Sequence, residues 1–136
     1  MRITSAAAEA IKAHGAEGFP YEICGLLVGR PGDGVISDVR RLTNIEREQP
    51  RVRYEVDAME DMRLRREIYK TDLDVLGYYH SHPDHPAWAS PTDAGRAWET
   101  YVYIIVSVSA GEPGEMNAFV AEKNGGPMKR IELEVV

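Results

Sequence analysis

Cysteine is nearly absent, with Cys24 the only one among 136 residues. No disulfide can form within the chain, so a cross-linked secreted scaffold is excluded and the cytoplasm is the expected compartment. Zinc fingers and zinc ribbons are excluded too, because both hold their metal through several thiolates. Basic charge is also short: 16 lysines and arginines stand against 22 acids, for a net charge of -6. No basic stripe is interleaved with aromatics, so nucleic acid is not an expected partner. No apolar run approaches the roughly 20 residues that span a bilayer. The N-terminal MRITSAAAEAIKAHG lacks the apolar core of a signal peptide. Neither membrane association nor export is expected.

Repeats, low-complexity tracts and linkers are missing as well. Residues 1–136 therefore read as one domain with a single core. The alanine-rich SAAAEAIKAHGAEGF predicts a helix with Ser5 as its N-cap, ended by Gly18 and Pro20. YEICGLLVG predicts a buried strand, and VISDVRRLTN a second strand paired with it across the turn PGDG. RVRYEV predicts a third strand. Asp57 with Glu60 is a capping-box signature for a helix reaching about Thr71. LDVLGYYHSH predicts a strand that stops at Pro83, and SPTD opens another helix. The β-branched YVYIIVSVS, then EMNAFVAE and MKRIELEVV, complete the strands. This order predicts an α/β fold, a mixed central β-sheet with helices packed on its faces.

The chemistry is concentrated in GYYHSHPDHPAWASPTD, Gly77 to Asp93, where three histidines fall within six residues. Strand side chains alternate faces, so His80 and His82 point the same way and Ser81 the other. Pro83 ends the strand beside a loop. That pair suits two nitrogen ligands on one metal ion, and a catalytic zinc takes three protein ligands. Asp93, in the first turn of the next helix, is one third ligand; His85 is the rival, held in a stiff loop between Pro83 and Pro86. Ser90 and Asp93 also make good helix-start chemistry without any metal. Glu22 is the one acid in YEICGLLVG, where a carboxylate is costly unless useful. It is either a proton shuttle or an exposed strand end. Cys24, inside an apolar strand, is expected to be an inert small hydrophobe. No His-Glu-x-x-His occurs, and a zinc deaminase would need a Cys-x-x-Cys pair. Trp88 is expected against a substrate tail or over the helix start. Trp98, Tyr101 and Tyr103 are expected in the core or on a sheet face, and RLRREIYK as a solvated helix face.

Together these positions resemble the JAMM family of zinc metalloproteases, also called MPN-plus or Mov34, and its prokaryotic branch in particular. The pattern is an upstream glutamate, then His-x-His, ten residues and aspartate, with serine three before it. It falls on Glu22, His80, His82, Ser90 and Asp93. The context EICGLLVG around Glu22 is similar too. The resemblance implies a cytidine-deaminase-like architecture with Zn²⁺ held by His80, His82 and Asp93, and a fourth position left open. It implies Glu22 as general base and Ser90 as donor to the oxyanion. The implied substrate is an amide bond after the C-terminal Gly-Gly of a ubiquitin-like or sulfur carrier protein. The implied alternative is a non-catalytic MPN-type scaffold or binding module with a structural metal. Between Asn44 and Asp57 there is little room for an insertion that could grip a second ubiquitin. The pattern does not fix an oligomeric state.

Overall fold

The computed structural model describes residues 1–136. The chain runs β1 (Arg2–Ile3), α1 (Ser5–Gly18), β2 (Cys24–Gly29), β3 (Val35–Ile36), β4 (Asp38–Leu42) and α2 (Ala58–Tyr69). It continues through β5 (Asp74–Pro83), α3 (Pro91–Arg96), β6 (Val102–Ser109), β7 (Glu112–Ala121), β8 (Met128–Ile131) and β9 (Glu134–Val135). Six strands form one mixed sheet in the order β4-β2-β5-β6-β7-β8, in which β5 and β6 are parallel and the other pairs antiparallel. A small parallel sheet, β3-β1-β9, lies apart from it. The predicted class holds. No helix is long and apolar enough to cross a membrane.

Alternation along the strands divides the core between the two sheet faces. Ile104, Val106 and Leu27 point to the face covered by α1 and pack with its Ala7, Ala8 and Ile11. Leu26, Val28 and Val75 face the other way and meet Ile68 of α2. Tyr103, Ile105 and Phe119 form a third cluster beneath the segment that carries α3.

Several boundaries differ from the predicted ones, each for a local reason. Thr4, not Ser5, caps α1: its backbone is extended and its hydroxyl accepts the Ala7 N–H at 3.1 Å. VISDVRRLTN does not form one strand. Val35–Ile36 pairs with β1 and Asp38–Leu42 with β2, so the segment serves both sheets. MKRIELEVV divides between the sheets in the same way. RVRYEV contributes only the isolated Asn44–Val56 bridge, because Asn44 takes over the job of a partner strand. Its side-chain oxygen accepts the Glu46 and Glu55 N–H groups, and its amide donates to the Arg53 carbonyl. Asp57 caps α2, but Glu60 does not close a capping box; it accepts from the N–H and hydroxyl of Thr43. Arg65 leaves the solvated face of RLRREIYK. Its guanidinium pairs with Asp61 and donates to Tyr69, Tyr78 and Tyr101. Trp98 is 56% exposed, whereas Tyr103 is buried as expected.

Two features of the frame give measurable predictions. Gly77 lies where β5 and β6 approach so closely that a Cβ would sit 1.7 Å from the Val102 carbonyl oxygen. Backbone cannot yield as a flexible side chain does. Gly77→Ala should cost about 3 kcal/mol or more, read as a lower urea midpoint. His14 is buried with Nδ1 2.8 Å from the Tyr79 hydroxyl. Burial, helped by Arg41 and opposed by Glu17, pushes its pKa down to about 4. The unfolded chain therefore takes up this proton first. Stability should fall as the pH drops from about 6.5 to about 4, by on the order of 2–3 kcal/mol. Unfolding of His14→Gln across that range should lack the step.

Candidate metal centre

The cluster is assembled on the inner strand β5. His80 pairs across the sheet with Cys24, and its ring lies on the same face as that of His82. The two Nε2 atoms are 3.2 Å apart. Asp93 closes the group from α3, with Oδ1 3.2 Å from His80 Nε2 and Oδ2 3.1 Å from His82 Nε2. All three ligand atoms lie within 4.8 Å of one another. The helix-start reading is realised together with this placement. Ser90 Oγ accepts the Asp93 N–H at 3.1 Å, and Asp93 Oδ2 accepts the Ser90 N–H at 2.9 Å. The capping box thereby fixes the carboxylate against the histidines.

Opposing effects act on the charges here. Burial resists ionisation of Asp93, but hydrogen bonds from His80, His82 and Ser90 outweigh it and hold the carboxyl well below the usual carboxylate range. Burial pushes the His80 imidazole down. It opposes protonation of His82 too, yet Asp93 and the Pro86 carbonyl prevail and raise it.

Glu22 enters from the extended residues just before β2. It is 4% exposed, so the exposed-strand-end reading of this residue fails. The segment is clamped on both sides. Ser81 N–H donates to the Ile23 carbonyl and Ser81 Oγ accepts the Ile23 N–H, while Asn44 donates to the Glu22 carbonyl. Burial pushes the Glu22 carboxyl up to about 8; His82 and Arg96 pull against this rise and Asp93 adds to it. Glu22, His82 and Ser90 line one cavity of about 360 Å³ with Val52, His85, Pro86 and Trp88.

Residues 4–122 match the family described as prokaryotic homologs of the JAB domain. The chain belongs to this family. These prokaryotic homologs are a branch of the JAMM/MPN proteins that the Glu22 to Asp93 pattern resembles. Among similar proteins, the desampylase of Haloferax volcanii is 35% identical over 112 residues, covering 79% of this chain and 80% of that one. The CysO-cysteine peptidase of Mycobacterium tuberculosis is 30% identical over 81% of this chain and 75% of its own length. A protein structure from Desulfitobacterium hafniense superposes with a TM-score of 0.83 at 27% identity, over 99% of this chain and 92% of that one.

The donor set of this JAB chain fits a zinc-like ion. His82 Nδ1–H donates to the Pro86 carbonyl at 2.8 Å, which puts the proton on Nδ1 and leaves the Nε2 lone pair for a metal. Two Nε2 atoms facing each other and a carboxylate suit a cation between them. Their separations are close to the edge of about 3.3 Å expected for tetrahedral ligands at 2.0 Å. His80 Nδ1 is buried without any hydrogen-bond partner, so the polar contacts of this ring are all made at Nε2 and packing holds its other edge. Tyr54 stacks on it at 4.6 Å.

His85 is exposed and lies outside the group that His80, His82 and Asp93 form. Its carbonyl accepts the Ser107 hydroxyl, and Asn117 donates to the Ala87 carbonyl; together they pin the loop that leads to Ser90. Cys24 is fully buried, and burial pushes its thiol up to about 12, as befits an inert core residue. Trp88 is 49% exposed, edge-on to Phe119 and beneath Arg130, so it walls the cavity. Asn44, Tyr54, Ser81 and the Pro86 carbonyl carry no sequence signal of their own. Only the alternation that turns Ser81 away from the histidines could have hinted at its part.

Proposed function

We propose that this chain is a single-domain zinc metallopeptidase that hydrolyses the amide bond after the C-terminal Gly-Gly of a ubiquitin-like or sulfur carrier protein. The observation that carries this reading is that His80, His82 and Asp93 form one ligand group, and that His82 of this group shares a partly open cavity with Glu22 and Ser90. The names of the desampylase and CysO-cysteine peptidase relatives support the substrate class.

His80 Nε2, His82 Nε2 and Asp93 would hold Zn²⁺. Bound there, zinc supplies Lewis acidity worth several kcal/mol of charge stabilisation. Glu22 takes a proton from the attacking water and passes it to the leaving nitrogen. A base tuned upward from the ordinary carboxylate range serves both transfers, and Glu22 would ionise more readily beside a bound dication. Ser90 Oγ accepts from Asp93 N–H, so its own proton stays free to donate to the developing oxyanion. Val52 and Trp88 line this cavity, in which a glycine tail, having no side chains, would lie.

The test is incubation of the zinc-loaded protein with a sulfur carrier extended past Gly-Gly by one residue or a short peptide. Mass spectrometry should show release at the glycine. An uncut carrier, with zinc bound, would favour a non-catalytic scaffold over the peptidase.

A further inference from the structure

A second cavity, of about 350 Å³, lies on the other side of the ligand cluster and shares no lining residue with the first. Along β5, Tyr78, His80 and His82 occupy one face at two-residue intervals, each step about 7 Å. His82 borders the cavity of Glu22 and Ser90, and Tyr78 borders the second one. The metal ligands stand between. Tyr54 stacks on His80 and also lines the second cavity, so a single side chain separates that space from the ligand ring.

Its walls are Tyr54, Tyr78, Trp98 and Tyr103, with Val56 and one cation, Arg96. Arg96 follows Asp93 by one helical turn, which sets both on the same side of α3. Its guanidinium donates to the Tyr54 carbonyl and has no carboxylate partner. Four of its five N–H donors stay available in a fork that matches a carboxylate. Glu55, on the exposed rim, is the one acid lining this cavity. Arg96 also lies within electrostatic reach of Glu22, the group assigned to protonate the leaving nitrogen.

We infer that this cavity is the leaving-group subsite, in which Arg96 pairs with the free α-carboxylate of a single C-terminal residue while the aromatic walls take its apolar side chain. The inference rests on the peptidase reading. A carrier ending in Gly-Gly plus one residue places a carboxylate two bonds from the scissile nitrogen. A lysine side chain in an isopeptide bond has none there. Arg96 thus selects a one-residue extension over an isopeptide-linked protein.

Binding separates this subsite from the chemistry. Zinc-loaded Glu22→Gln protein should bind a ubiquitin-like sulfur carrier ending in Gly-Gly-Phe about ten-fold more tightly than the same carrier as its C-terminal amide. Adding Arg96→Gln should erase that preference with the affinity for the amide unchanged; Arg96→Lys should keep part of it. Equal affinity for acid and amide, a preference that survives Arg96→Gln, or binding of neither carrier would overturn the subsite. Cleavage by the unmutated protein is scored separately. Acid preference without cleavage would sink the peptidase reading, and the leaving-group role with it, leaving Arg96 as a carboxylate-binding site; cleavage of both forms alike, without acid preference, would keep the peptidase reading and overturn the subsite.

Discussion

Glu22→Gln should lower turnover of a Gly-Gly-extended carrier by about 10²–10⁴-fold, with zinc content and unfolding temperature unchanged. Glutamine keeps the shape of the side chain and loses only the ability to take a proton. The backbone of the segment is held independently of that carboxyl, by Ser81 on one side and Asn44 on the other. The substitution therefore removes the shuttle and leaves its frame. Turnover and metal content measured on the same preparation check this. A drop in turnover matched by an equal drop in bound zinc would move Glu22 from proton transfer to metal retention.

Asp93→Ala should reduce zinc affinity by more than about 100-fold, since even residues that only orient ligands are worth 10–100-fold. It should also cost about 1 kcal/mol of stability in the metal-free protein, because the Ser90 N–H loses its capping partner. Asp93→Asn separates the two effects. The amide can still accept from Ser90 but offers the ion no charge, so stability should recover in part while affinity stays low. Zinc titration and thermal unfolding of both variants test this. If Asp93→Ala bound zinc like the unmutated chain, His85 would return as the third ligand.

The two strand histidines were legible in the sequence because alternation depends on nothing beyond the strand itself. Ser90 and Asp93 were legible for a related reason, since capping chemistry is local and the metal reading only adds to it. Glu22 was harder: its worth depends on burial, and burial depends on residues 44–54 folding over it, which no periodicity in that stretch shows. The sheet assignments failed where one segment serves two sheets, as in Val35–Leu42 and Met128–Val135, because hydrophobic alternation records a strand but not its partner. Tyr54 was read as part of a strand; its stacking on His80 arises from a loop closed by Asn44. Residue type places Trp98 in the core or on a sheet face. It sits instead just past α3, where its backbone N–H donates to the Tyr103 hydroxyl and its ring walls a cavity.

The most direct measurement is a zinc titration of the chelator-stripped protein, followed by cleavage of a carrier extended beyond Gly-Gly. Turnover should be absent without metal, rise in proportion to added zinc and level off at one ion per chain. Turnover that persists after chelation, or that ignores zinc bound at one ion per chain, would contradict a metallopeptidase built on His80, His82 and Asp93.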